Sequence, residues 1–331
     1  MKEIKITTNE QNQRLDKYLL KYMNKANKSF IYKMLRKKRI KLCGKKAEGN
    51  EMLQSGDTIQ LYLAEETMAS FMEEKKLSAA KRHFAIVFED DDVLAVSKPA
   101  GLLVHPEKST DTDTLIDQVL YYLHEKGQYE PSADATFTPA LCNRLDRNTS
   151  GIVLVGKTLS GVQGLNEIIR LRQVDKYYWT VVQGKVEEAG EISAYLSKNQ
   201  ESNQVRISAE EGVSGVLTQT KYKPLAYATE GYTLLELQLV TGKTHQIRGH
   251  MEYLGHPVVG DRKYGVARVN EEFRISFGLS NQFLHGARLE FGKIEGELSY
   301  LSGMVWEAPL PKTFATITEE LFGQSLNSEE R

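Results

Sequence analysis

The sequence predicts an α+β fold, a mixed sheet domain preceded by a small basic α/β module. Two observations lead there. From Phe84 onward, strand-like and helical patterns are mixed without the regular alternation that builds a doubly wound parallel sheet. Before that point the charge divides sharply: residues 1–63 hold 15 Lys and Arg against 6 Asp and Glu, a net of +9, and the remainder carries a net of −10. The formal total of −1 hides this split. A chain of 331 residues with 40% hydrophobic content can bury two cores of unequal size.

Between Gln13 and Arg39 the apolar residues Leu15, Tyr18, Leu19, Tyr22 and then Phe30, Ile31, Met34, Leu35 recur at helical spacing, which predicts two short amphipathic helices. Ser29 stands where the second begins and is placed to cap it. Ile40-Lys41-Leu42 and Ile59-Gln60-Leu61-Tyr62-Leu63 alternate as strands do, with turns at Gly44 and Gly56-Asp57. Residues 64–82, with paired acids at Glu65-Glu66 and Glu73-Glu74, read as a linker or a loosely attached helix. The body, residues 83–325, opens on Phe84-Ala85-Ile86-Val87-Phe88. Further strands are expected at 93–96, 152–155, 178–182 and 233–237, and helices at 114–124 and 159–170.

Several function classes are disfavoured by composition. Only Cys43 and Cys142 are present, far apart, so neither a disulfide framework nor a zinc cluster is suggested. The start lacks the apolar stretch of a signal peptide, and no run approaches the roughly 18 apolar residues of a membrane span. A cytoplasmic protein without membrane attachment is expected, and no protein partner is predicted.

Lys33, Arg36, Lys37, Lys38, Arg39, Lys41, Lys45 and Lys46 lie within 14 residues. A charge run is commonly a solvated helix face, but this density favours a surface that meets phosphate. The run QRLDKYLLKYMNKANKSFIYKMLRKKRIKLCGKK, followed by LQSGDTIQLYL, resembles the S4 RNA-binding domain over about the first 63 residues. The resemblance implies that Lys33, Arg36, Lys37, Lys38 and Arg39 contact RNA.

Four stretches of the body place charged residues beside glycine turns: AVSKPAGLLVHP, NRLDRNTSGIVLVGKT, VDKYYWTVVQG and LVTGKTHQIRGHMEYLGHPVVGDRKYG. Singly each has a bland reading. Arg144-Leu145-Asp146 is a common enough surface ion-pair cluster, and Arg14-Leu15-Asp16 repeats the tripeptide on what reads as a plain helix. The second copy differs in leading from a loop into a strongly apolar strand. In this order and spacing the four stretches resemble the RluA-type RNA pseudouridine synthases, and the whole chain is most similar to the RluC-like branch acting on large-subunit ribosomal RNA.

The resemblance implies a largely antiparallel pseudouridine synthase sheet and the isomerisation of particular uridines in structured RNA. It makes Asp146 the catalytic aspartate, Arg144 the arginine that helps displace the target base, and Tyr178 the active-site tyrosine. Arg248 becomes the basic partner of the aspartate and Ile247 its apolar neighbour. Two positions depart from the pattern: Asn143 stands where histidine is usual, and Lys243 where arginine is usual.

The residue types suit that chemistry without the family name. Isomerising uridine breaks the N1–C1′ bond, turns the uracil and joins C5 to C1′, so nothing is oxidised and no atom is added. No cofactor is expected, in keeping with the lack of GxGxxG, Walker or HExxH patterns in the sequence. A carboxylate is needed as nucleophile or base, and aspartate in general is ionised at neutral pH. An arginine at about 4 Å, with an effective dielectric near 20, contributes on the order of 4 kcal/mol towards keeping such a charge in a pocket. Taking a base from its stack costs a few kcal/mol, and stacking on an aromatic returns roughly 1–3 kcal/mol. Tyr178 and Ile247 would form that wall, though Tyr178 also reads as a core aromatic, with Tyr177 on the opposite face.

His245, His250 and His256 are spaced too widely for one helical face, so no metal is expected, and His245 is assigned structural hydrogen bonds. Lys98-Pro99-Ala100-Gly101 reads as a rigid turn beneath the site. The competing reading is a non-catalytic S4-type RNA-binding or ribosome-assembly protein. A metal-dependent RNA hydrolase is a third, opposed by the missing carboxylate and histidine cluster.

Overall fold

The structure, a computed structural model, describes residues 1–7, 10–72, 77–108, 110–131, 137–199, 204–210 and 215–323. The acids Glu73 and Glu74, and the last two residues of the expected body, lie outside the described residues. The chain divides into two compact units: Met1–Arg82 with Asp117–Ala140 and Gly156–Gln163, and His83–Ile116 with Leu141–Val155 and Gly164–Arg331.

In the first unit, strand β1 (Lys2–Lys5) precedes helices α1 (Leu15–Tyr22) and α2 (Lys28–Arg36), and strands β2 (Ile40–Leu42), β3 (Lys45–Lys46) and β4 (Thr58–Leu61) follow. The strands form one antiparallel sheet in the order β1-β4-β2-β3. The apolar stripe of α1 buries Leu15, Tyr18, Leu19 and Tyr22, and α2 adds Ile31 and Leu35 to the same core. The cap expected at Ser29 is made by Asn27 instead. Its backbone is extended and its side chain accepts from Phe30 N at 2.9 Å, whereas Ser29 is already inside the helix. Such a cap contributes about 1 kcal/mol.

The stretch read as a linker needs a similar correction, because it opens with helix α3 (Glu65–Ser70), which folds onto the first unit. Met68 is buried in the core beside Leu15, Ile31 and Leu35. Phe71 O accepts from Lys25 N at 3.0 Å, and the Phe30 and Phe71 rings lie 4.2 Å apart. Burying an apolar side chain yields about 1.5–3 kcal/mol, so Met68 and Phe71 hold a segment whose acids suggested solvent.

The remaining strands are β5 (Ala85–Glu89), β6 (Val93–Lys98), β7 (Ala140–Leu141), β8 (Ser150–Gly156), β9 (Val174–Gln183), β10 (Gly190–Asn199), β11 (Gln204–Ser208), β12 (Val216–Ala228), β13 (Tyr232–Leu239), β14 (Leu284–Phe291) and β15 (Val305–Glu307). They form one sheet in the order β11-β10-β12-β13-β9-β14-β8-β6-β5, with β15 on β14 and β7 on β8. Pairing is largely antiparallel, so the fold is α+β, as the patterns predicted. Between them come helices α4 (Leu115–Glu125), α5 (Leu159–Arg170), α6 (Gln246–Tyr253), α7 (Ala267–Phe277) and, at the end, α8 (Lys312–Phe322). One apolar cluster gathers around Phe291 and Trp306, another around Phe283 and Phe314.

Near the middle of the sheet β8 and β14 run parallel, with Gly151 opposite Gly286. Gly151 has φ +124°, and a Cβ there would fall on the backbone of Gly286. Only glycine permits this approach, which carries the loop before β8 to the centre of the sheet. Among the described residues no helix is long and apolar enough to cross a membrane.

Candidate active site

The loop between β7 and β8 carries Arg144, Asp146 and Arg147, and it is pinned on both sides of the aspartate. Before it, Asn143 pairs with β8 as a strand residue would: Oδ1 accepts from Leu154 N at 2.7 Å and Nδ2 donates to Ile152 O at 3.3 Å. After it, the fully buried Lys98 donates from Nζ to the carbonyls of Pro99, Leu102 and Arg147 at 2.9–3.0 Å. Burial draws the Lys98 pKa down to about 7 against the pull of Asp146, but three acceptors match the three donors of an ammonium. The Lys98-Pro99 turn is thus the floor of the loop. Arg147 Nε adds a bond to Gly101 O at 3.1 Å.

Helix α6 supplies the facing wall. It is preceded by the Thr-Gly-Lys-Thr-His turn, organised by the buried Gln246. Its Oε1 accepts from the Thr241 hydroxyl and Lys243 N, and its Nε2 donates to Gln219 O and the Thr220 hydroxyl. His245 takes the left-handed conformation at φ 54° and ψ 16°, rare for a residue with a Cβ, and the turn it makes starts the helix. Arg248, one turn in, is buried and donates from Nη1 to Asp146 Oδ2 at 3.1 Å.

Its principal partner was not anticipated. Asp261, fully buried, receives Arg248 Nε at 2.6 Å and Nη2 at 2.8 Å, a bidentate pair, and also accepts from Lys263 N and Tyr264 N. Burial alone would raise the Asp261 carboxyl, but Arg248 and the two amides hold it below its usual range. Tyr264 lies beneath the guanidinium, its ring centroid 5.0 Å from Cζ. Arg248 is therefore locked by one carboxylate and presents its free edge to the other. Asp261 stands between two glycines, Gly260 and Gly265, in a stretch that had drawn attention for Ile247, Arg248 and the histidines but not for this aspartate.

These walls enclose a cleft of about 260 Å³. Asp146 is the one carboxylate among its lining residues, against the cations Arg144, Lys176, Lys243 and Arg248. Tyr178, Ile247 and Leu284, with Leu145, Ile169 and Leu239, form its apolar surface. Burial first, and then the charge of Asp146, push the Tyr178 phenol up, so it stays protonated at neutral pH. Tyr177 points away, under Arg288 with 4.3 Å from Cζ to the ring centroid. Lys176 shares the face of Tyr178, and burial lowers its pKa.

All five body residues singled out by sequence thus line one cleft: Arg144, Asp146, Tyr178, Ile247 and Arg248. Lys33, Arg36, Lys37, Lys38 and Arg39 are exposed on the first unit, around the end of α2. The three histidines diverge. His250 is buried between the Thr218 and Thr220 hydroxyls at 2.9 Å, with its pKa lowered to about 4 by burial, and His256 meets Gln183 O. Asp261, Lys176 and the cleft position of His245 were missed; a lone aspartate between glycine turns was the available signal for the first.

A mixed sheet whose central loop offers one carboxylate to a small cationic cleft suits chemistry on a polyanion, and comparison gives the class. The chain belongs to the RNA pseudouridylate synthase family, whose pattern matches residues 92–253. It is 31% identical over 284 residues to the ribosomal large subunit pseudouridine synthase C of Vibrio cholerae, covering 84% of this chain and 85% of the other. It is 29% identical over 325 residues to the Bacillus subtilis RNA pseudouridine synthase YlyB, covering 97% and 99%. Among solved structures, human RNA Pseudouridylate Synthase Domain Containing 4 shares the fold at a TM-score of 0.56 and 22% identity, covering 71% of this chain and 92% of that one. Human RNA Pseudouridylate Synthase Domain Containing 1 does so at 0.55 and 24%, covering 77% and 94%.

Proposed function

We propose that this enzyme isomerises particular uridines of large-subunit ribosomal RNA in the cytoplasm, with Asp146 as its catalytic carboxylate. The observation that carries the reading is a single carboxylate in a cationic cleft, hydrogen-bonded to an arginine whose other edge is committed to Asp261. Because Asp261 takes the bidentate face, Arg248 orients Asp146 through one bond and leaves its second oxygen open to the substrate.

The reaction moves one proton from C5 to N1. Tyr178 is a neutral phenol and Lys176, Arg144 and Arg248 are donors, so the carboxylate of Asp146 is the group suited to accept it. Tyr178 and Ile247 wall the detached uracil, and Arg144, exposed at the rim, fills the position from which the base was drawn. The module of residues 1–63 holds structured RNA by the exposed cations Lys33, Arg36, Lys37, Lys38 and Arg39. The similarity to a named large-subunit enzyme supports the substrate class.

Mapping pseudouridine across ribosomal RNA from cells with and without the protein tests this. Sites lost from large-subunit RNA, and restored by the wild type but not by Asp146→Asn, are expected. An unchanged map would overturn the substrate assignment.

A further inference from the structure

His245 has features that starting a helix does not require. Its side chain is only 9% exposed, it lines the cleft, and it is the left-handed residue at the start of α6. Non-glycine residues in that region persist where the surroundings hold them, and such positions cluster at functional sites.

Its hydrogen bonds favour one placement of the ring proton. Nδ1 lies 3.0 Å from the Tyr264 hydroxyl, and that same oxygen accepts Val205 N at 2.7 Å. With one acceptor position of the phenol filled by an N–H, the phenol's own proton is satisfied by pointing to Nδ1, the arrangement that puts the imidazole proton on Nε2. Nε2 faces Asp146 Oδ2 at 3.8 Å, beyond hydrogen-bond reach. On that placement a donor with little exposure is aimed into the cleft beside the carboxylate.

We infer that His245 is a further catalytic residue, whose Nε2–H donates to the uracil carbonyl oxygen that gathers charge as the base leaves the sugar. This rests on the assignment of the cleft to uridine isomerisation. When N1–C1′ breaks with its electron pair on the base, the charge spreads over N1 and the carbonyl oxygens. C5 then attacks the electron-deficient C1′, the C5 proton passes to Asp146 and is returned to N1, and His245 keeps its own proton throughout. Burial lowers its pKa to about 4, helped by Arg248 and Lys263 and opposed by Asp146 and Asp261, so the donor is a neutral imidazole. A neutral donor preserves the charge balance between Asp146 and Arg248, which an imidazolium would upset.

The test uses the full-length enzyme with ribosomal RNA from cells lacking it. His245→Gly removes the ring where glycine fits the backbone without strain. Turnover should fall by about 100-fold or more, the scale for loss of one preorganised donor, with RNA affinity and melting midpoint nearly unchanged. Free imidazole should restore part of the rate to His245→Gly, and His245→Gln, which carries an N–H at similar reach, should retain part of it. Nitrogen NMR should find Nε2 protonated near neutral pH, and Tyr264→Phe should release that preference. Wild-type turnover by His245→Gly, a loss confined to RNA affinity, or an imidazole protonated on Nδ1 would each overturn the role. If Asp146→Asn also remains active, the reading of the cleft itself fails; if Asp146→Asn is dead while His245→Gly is fully active, only the role of His245 does.

Discussion

Arg14-Leu15-Asp16 and Arg144-Leu145-Asp146 are the same tripeptide put to opposite uses. In the first, the arginine turns on its own aspartate: Nε and Nη2 of Arg14 both meet Asp16 at 3.0 Å, and the Tyr32 hydroxyl donates to Asp16 Oδ2 at 2.9 Å. Burial would raise the Asp16 carboxyl, yet Tyr32 and Arg14 hold it below its ordinary value. All its acceptors are spent inside the module. In the second, Arg144 stays exposed and the aspartate is held from 102 residues away by Arg248, through one bond. A carboxylate saturated by local donors anchors structure, and one held by a single distant donor keeps a lone pair for chemistry.

The largest expected effect separates the two aspartates. Asp146→Asn should lower turnover on the order of ten-thousand-fold, as removal of a reacting group does, with RNA affinity and melting midpoint intact. Asp16→Asn should do the reverse, costing about 1–3 kcal/mol of stability with turnover at saturating RNA unchanged. Equal turnover losses in the two variants would erase the distinction.

Next comes the residue that makes Arg248 available. Asp261→Asn leaves a buried guanidinium without its charge partner and should cost about 3–5 kcal/mol, along with most of the activity. The pH dependence follows from the depressed Asp261 carboxyl. Its stabilising contribution is present above the unfolded value near 3.9 and is lost as pH falls through the lower folded value. Urea unfolding of wild type and variant should therefore differ fully at pH 7 and converge towards pH 2; a gap independent of pH would show that Asp261 acts by packing alone.

The arginines should behave in the opposite sense to their aspartates. Arg14→Ala is expected to lower the melting midpoint of the first unit slightly and to leave turnover alone. Arg144→Ala should leave the midpoint alone and slow turnover. Calorimetry and single-turnover assays on the pair decide it, and a stability loss in Arg144→Ala would place that side chain in a structural role.

The smallest effect concerns affinity only. Replacing Lys37, Lys38 and Arg39 with alanine should flatten the dependence of log affinity on log salt by roughly 0.7–0.9 for each phosphate no longer neutralised. An unchanged slope would mean that this exposed surface does not meet RNA.

Much of this was legible because periodicity reports burial. The helices at 114–124 and 159–170 and the strands around 93, 152, 178 and 233 appear within a few residues of where apolar spacing placed them. The ordered motifs likewise brought Arg144, Asp146, Tyr178, Ile247 and Arg248 to one cleft. What escaped depends on partners distant in the chain or on single backbone angles. Asp261 shows its worth only when Arg248 reaches it, His245 only when Tyr264 orders its ring, and Asp16 read as ordinary helix because Tyr32 is a turn of the next helix. Asn27 rather than Ser29 became the cap because the chain is still extended there.

The spacing between Asp146 and Asp261 also orders events at synthesis. The core of the first unit closes among residues between Ile4 and Met72, whereas the cleft draws on segments that run from Cys142 to Leu284, with Asp261 behind Arg248. Domains form in order as the chain emerges, so a cationic module is complete on the nascent polypeptide while most of the sheet is still unmade. Until the segment carrying Arg248 and Asp261 has emerged and folded, Asp146 lacks the guanidinium that orients it. On the proposed assignment of the exposed cations of residues 1–63 to RNA, the enzyme acquires its hold on RNA well before it acquires the means to alter it.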